Sequence, residues 1–248
     1  MIQNSYRKGR SFYHKLRFYC KVNWIKTLYF NFKKFPFETA RKLPVFIYGK
    51  IKFTSIKGEI LIDGKIRKGM IGFGQPYELN SVHKGIAEIF ILGKLTFKGK
   101  FQFGKDCFVF VGENATCELG NMASMASNGK IICTEKIIVG DYARFGSEAQ
   151  IIDTNFHDLI DTQTGEKLGK TAPIFIGNYN FVSNRVSIMK GTQTPDFCTI
   201  ASNSLCTKDY KNLGENILIG GIPAKLIRSD ISRDWHGERE KLDAFLTI

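Results

Sequence analysis

The chain has 248 residues, 43% of them hydrophobic, and a formal net charge of +13, enough length for one substantial core. It contains no apolar run of 18 residues and no leader with an apolar stretch and cleavage site, so neither a transmembrane helix nor a signal peptide is expected. Six cysteines without a C-x-x-C pair point to a reduced, cytoplasmic protein with no metal cluster. Residues 1–42 carry eleven Lys or Arg against one acid, Glu38, whereas the rest holds 25 basic and 22 acidic side chains. The basic balance therefore describes a tail, and the main body is not expected to bind nucleic acid.

That tail, residues 1–42, is aromatic as well as basic. On a helical wheel Phe18, Val22, Ile25, Tyr29 and Phe32 form one stripe, with Lys15, Lys21, Lys26 and Lys33 beside it. Such a helix can lie in a membrane surface, its lysines snorkelling to the phosphates. A peripheral contact through residues 11–35 at the inner face of a membrane is one expectation. Packing of the stripe on the first part of the body or on a neighbouring subunit is the other, with RNA contact a distant third.

Apolar alternation begins at Val45, and strands are expected at 45–53, 59–62 and 89–103, with residues 75–88 protruding as a loop. Further on, the sequence is periodic in sixes. From Ile176 it reads IGNYNF, VSNRVS, IMKGTQ, TPDFCT and IASNSL, with first positions Ile176, Val182, Ile188, Thr194, Ile200 and then Cys206. Fifth positions are Asn180, Val186, Thr192, Cys198 and Ser204, while VGDYAR and FGSEAQ keep the same rule upstream. Neither a helical period nor simple alternation produces this spacing; stacked coils of short flat strands do, about three sixes to a coil. First-position side chains should point inward, and the Gly, Ser, Asn and Asp of positions two to four should make the corners.

The register fails between Ile151 and Ile176, so residues 153–174 are looped out of the coil. Long loops on rigid scaffolds are where function tends to sit, and this one contains His157. Imidazole suits proton uptake near neutral pH. Carboxylates at Asp153, Asp158 and Asp161 lie close enough in sequence to orient it.

The sixes, with the closing run ILIGGIPAKLIR, resemble the hexapeptide-repeat acyltransferases, well over residues 90–228 and loosely over 45–90. The resemblance implies an all-β fold: a single left-handed parallel β-helix over 43–228, with the insertion 153–174 and a short C-terminal helix in a capping tail, 229–248. It implies a homotrimer with acetyl-CoA, the acyl donor, lying between neighbouring coils. It also implies an O-acetyltransferase acting on a sugar hydroxyl of a surface or capsular polysaccharide or a lipopolysaccharide. His157 would be the general base, with Asp158 beside it, in direct transfer within a ternary complex. Asn184, Ser202, Thr207, Lys208, Lys225 and Arg228 match positions that contact the coenzyme, the basic ones meeting its phosphates. Ser183 and Ala201 stand where glycine is usual, and Phe181 where tryptophan is common. Three histidine ligands for zinc are not at hand, so no metal is expected. An N-acetyltransferase on an amino sugar, a serine acetyltransferase or a catalytically inert scaffold remain as alternatives.

Overall fold

The computed structural model describes residues 19–75 and 85–245, with side chains to residue 240. Three parallel sheets run the length of the body, and successive strands pass from one sheet to the next. The first face begins with Val45–Ile47, Ile71–Phe73, Phe101–Phe103 and Ala123–Met125, and continues through Arg144–Phe145, Phe181–Val182, Thr199–Ile200 and Leu218–Gly220. The second face runs from Ile51–Ile56 through Gln150–Ile152 and Ser187–Met189 to Leu205–Cys206. The third runs from Glu59–Ile62 through Lys136–Val139 to Ile174–Ile176, and is carried on by bridges at Gln193 and Asp209. The body is a parallel β-helix of triangular section. The strand Ile71–Phe73 was not expected, and Ala87 already lies in a strand, Ala87–Ile91. The remainder of the anticipated 75–88 loop falls largely outside the described residues.

The six-residue rule holds atom by atom. Every first position from Ile176 to Cys206 and every fifth position from Asn180 to Ser204 is buried. Corner chemistry, however, is divided among positions two, three and four. At position two glycine permits close stacking: a Cβ on Gly140 would sit 2.6 Å from the carbonyl carbon of Gly177 in the next coil. At position three a short polar side chain accepts from the backbone one coil back. The Oδ1 of Asn178 takes the Asp141 N–H (2.9 Å), and that of Asp196 takes the Asn178 N–H (2.7 Å). Position four is left-handed backbone; Gly191 and Asn203 there are of the small kind expected, but most are not. Tyr142, Glu148, Tyr179, Arg185 and Phe197 have φ of 52–61°. Left-handed backbone costs an ordinary residue about 1–2 kcal/mol. Stacking offsets it at the corner between the third and first faces. Tyr142 and Tyr179 lie 4.9 Å apart and Tyr179 and Phe197 5.0 Å apart, ring on ring.

Helix α1, Trp24–Lys34, starts at Asn23, whose side chain caps Lys26 N–H, and stops before Pro36, which favours extended backbone at Phe35. It closes the first coil in a manner the apolar stripe did not suggest. Among the described residues no coil precedes the first strand, so its outer N–H and C=O groups need partners. Asn31 bonds both the N–H (3.1 Å) and C=O (2.7 Å) of Val45, and Thr27 Oγ1 accepts the Ile47 N–H (3.0 Å). Lys34 reaches the carbonyls of Ile56 and Gly58, and Lys26 that of Ile51. Phe30, 1% exposed, is the apolar anchor of this inner face. The stripe Ile25, Tyr29 and Phe32 is turned outward instead; Val22 pairs with Tyr48 ahead of the helix, and Phe18 lies outside the described residues.

At the other end, Lys225–Arg228 folds back antiparallel on Leu218–Gly220 and terminates the first face. Helix α2, Trp235–Phe245, does not sit on the end of the last coil. It lies along the aromatic corner, with the buried Trp235 ring 5.7 Å from Tyr179 and Arg239 over Tyr142. The tail braces the side of the helix, while the strand reversal closes its end.

Candidate active site

The chain leaves the coil at the corner between the second and third faces of the fifth coil. Asp153, predicted as a candidate to orient His157, is fully buried and already occupied. Its Oδ1 accepts from Thr134 N–H (2.7 Å) and Oγ1 (2.8 Å), and its Oδ2 from Glu135 (2.8 Å) and Lys136 (3.0 Å). Four donors saturate both oxygens, so Asp153 is the root of the excursion and no partner for an imidazole. Ile174, at the other end of the anticipated insertion, is likewise a buried residue of the third face, so the looped-out chain is 154–173.

The excursion itself is ordered by backbone pairing. Thr154 bridges Thr171, Asn155 N–H donates to Lys170 C=O (2.9 Å), and Leu159–Ile160 pairs antiparallel with Lys167–Leu168. Asp161 closes that hairpin by accepting from Gln163 and Thr164 N–H, and these two bonds hold its carboxyl below the usual range. It too is committed to a turn. His157 stands between stem and hairpin, next to Phe156, which takes a left-handed φ of 62° away from the coil corners. His157 and Asp158 are both exposed. So are Phe156, Leu159, Ile160 and Leu168, each 47–56% accessible, which gives an apolar tip to a loop that reads as polar in the sequence.

The predicted coenzyme residues divide between corners. Thr207 and Lys208 occupy the same corner as the excursion, two coils further along, and are exposed; Lys208 C=O accepts from Gln193 N–H (3.3 Å). Lys190, in the coil between, holds the excursion through the carbonyl of Gly169. Asn184 and Ser202 stack one coil apart on the corner between the first and second faces, also exposed. The Oδ1 of Asn184 accepts the Ser147 N–H (3.0 Å), so this side chain also serves the position-three ladder. Lys225 follows the reversal at that corner, while Arg228 pairs with Leu218 at the far end of the first face. The two corners are separated by one face of the prism, roughly 15–20 Å, the length of about six extended residues. Apart from Arg228, the expected site residues therefore form two columns flanking the second face. Sequence reasoning missed the role of Asp153; its only signal was a carboxylate placed immediately before the register breaks.

Among solved structures, the chain is similar to the polySia-specific acetyltransferase NeuO, with 15% identity and a TM-score of 0.52 over 79% of this chain and 90% of that one. That likeness gives the fold, a left-handed β-helix in the neighbour. A hexapeptide-repeat acetyltransferase of Vibrio cholerae, solved with acetyl coenzyme A, matches at 22% identity over 50% of this chain and 64% of its own, with a TM-score of 0.42. Among curated proteins, galactoside O-acetyltransferase of Escherichia coli (strain K12) is 29% identical over 147 residues, 53% of this chain and 69% of that protein. No family model matches the sequence. Repeat, coil geometry and closing turn resemble those of the hexapeptide-repeat acyltransferases, and the likeness to galactoside O-acetyltransferase supports an acyltransferase.

Proposed function

We propose that the protein transfers an acetyl group from acetyl-CoA to a sugar hydroxyl, with His157 as general base and no covalent acyl-enzyme. The observation that carries this reading is the excursion. A buried carboxylate fixes its root, a backbone ladder stiffens it, and its tip holds an exposed imidazole on the corner shared with Thr207 and Lys208. In the reaction an imidazole nitrogen of His157 accepts the hydroxyl proton as the oxygen attacks the thioester carbonyl. The C–S bond then breaks, and the leaving thiolate takes the proton from the imidazolium. A positioned base of this kind contributes about 10²–10⁴-fold. Asp158 is the carboxylate left to orient the ring, since Asp153 and Asp161 are otherwise bonded.

The working unit is a homotrimer. Two observations support it: the apolar tip of the excursion is exposed among the described residues, and the two columns of expected site residues lie a full face apart. A neighbouring prism laid beside the second face brings one subunit's His157 to another's Asn184, Ser202 and Lys225. Lys208, Lys225 and Arg228 then supply charge-assisted bonds for the coenzyme phosphates.

The test is incubation with acetyl-CoA and a panel of neutral, sialylated and amino sugars, with products resolved by mass spectrometry. An alkali-labile acetyl ester on a glycan is the expected product. An alkali-stable amide would replace this reading with N-acetylation. No transfer, together with no thermal shift on adding coenzyme A, would reduce the chain to a scaffold.

A further inference from the structure

The end of the prism under α1 combines two features that the reaction does not use. The outer face of α1 exposes Ile25 (83%), Leu28 (45%), Tyr29 (52%) and Phe32 (49%), and Phe37 (66%), from the short helix Phe37–Ala40, extends it, ring against ring with Phe32 at 6.2 Å. The helix is amphipathic in the inverted sense: its polar side chains bond the edge of the first coil, and its apolar ones other than Phe30 face solvent. Around it the charge is one-sided. Residues 19–69 carry twelve Lys or Arg against three acids, Glu38, Glu59 and Asp63, and Lys21, Lys33, Lys42, Lys57, Lys65 and Arg67 are exposed. The chain from residue 70 onward is close to neutral, with 19 basic and 20 acidic side chains.

We propose that this end of the protein docks on an anionic lipid surface, with Ile25, Leu28, Tyr29 and Phe32 at the acyl boundary and the basic side chains at the phosphates. A helix that lies in the interface has this build: aliphatic and aromatic residues to one side, lysines flanking them, and a length too short to span. Tyrosine and tryptophan favour headgroup depth, and flanking lysines extend upward from it. Charge decides against the other occupants. Two copies meeting through this end would set one strongly basic surface against another. A nucleic acid would satisfy the charges yet leave Ile25 and Leu28 without an apolar phase.

Docked this way, the prism stands with its coils stacked away from the lipid. The excursion leaves the fifth coil, four strand spacings up, which puts His157 about 20 Å above the first coil. Resting on the acetyltransferase reading, that height suits a glycan held on a lipid anchor, whose reactive sugar projects from the headgroups.

Docking is tested apart from catalysis, on the full chain, by sedimentation with vesicles of phosphatidylcholine alone or containing phosphatidylserine. Binding at least tenfold stronger to the anionic vesicles is expected, falling when salt is raised from about 0.1 to about 0.5 M. The variant Ile25→Glu/Leu28→Glu/Phe32→Glu should bind at least tenfold more weakly, while its melting temperature and its activity on a water-soluble acceptor stay unchanged. A charge variant, Lys33→Glu/Lys42→Glu/Arg67→Glu, should lose the preference for anionic vesicles. Equal binding to both vesicle types, or undiminished binding by the first variant, would overturn the proposal. So would a change in its oligomeric mass by light scattering, which would make a second copy the occupant. Binding of the wild-type chain to RNA with no binding to either vesicle type would also overturn it.

Discussion

Two corners of the same prism are put to opposite uses. Where the third face meets the first, the position-four rings of three successive coils, Tyr142, Tyr179 and Phe197, stack on one another, and α2 lies along the column, with Trp235 buried. Where the second face meets the third, the fifth coil opens instead, and 20 residues leave it as a hairpin with an exposed apolar tip. One corner spends its side chains on holding coils together; the other is anchored at a single buried carboxylate and offers its side chains outward. A repeat fold gains a site by interrupting its own period, and the interruption stays local because each coil contacts only its neighbours.

The contrast can be broken at the anchor. Asp153→Ala removes the acceptor from the N–H groups of Thr134, Glu135 and Lys136 and should cost about 3–5 kcal/mol in urea unfolding. Catalysis should fall with it, because the excursion loses its root; Asp153→Asn should retain more of both. The aromatic corner should respond less. Tyr179→Ala gives up two stacked rings and the Trp235 edge contact, for about 1–3 kcal/mol. Glycine at the same position loses the same contacts but suits the left-handed backbone, so Tyr179→Gly should be more stable than Tyr179→Ala by about 1 kcal/mol. An alanine variant equal to or better than glycine would show that the corner carries no backbone strain.

The smallest effect concerns the core between the corners. All six cysteines are free; only Cys20 is exposed, and burial pushes the Cys198 and Cys206 thiols up to about 12. A thiol reagent near pH 8 should therefore modify one cysteine in the native protein and six after unfolding. The linkage follows the same sign. Between the unfolded thiol value near 9 and the folded value near 12, only the native state keeps these protons. Stability should accordingly decline as pH rises through that window, and hold below it.

The inward half of the repeat was legible because the core imposes size and polarity on positions one and five, whatever the residues between them. Position four was not. Tyr142, Tyr179 and Phe197 have no intrinsic preference for left-handed backbone and adopt it because coil stacking over-determines them. The excursion showed itself as a broken period, with His157 inside it, but its bounds moved inward because Asp153 and Ile174 belong to the coil. On α1 the wheel found the apolar stripe and not its direction. The unpaired backbone of an end coil attracted Thr27 and Asn31, and that polar requirement chose the inner face. The residues expected to meet the coenzyme were chosen by motif, which carries no information on which corner each would occupy.

The base is tested most directly by comparing coenzyme A release from acetyl-CoA, at saturating sugar acceptor, for the wild-type protein and His157→Gln. The account predicts a fall of about 10²–10⁴-fold in turnover with unchanged melting temperature and unchanged coenzyme affinity. Turnover within a few-fold of wild type would contradict it and return the imidazole to an exposed side chain on a hairpin.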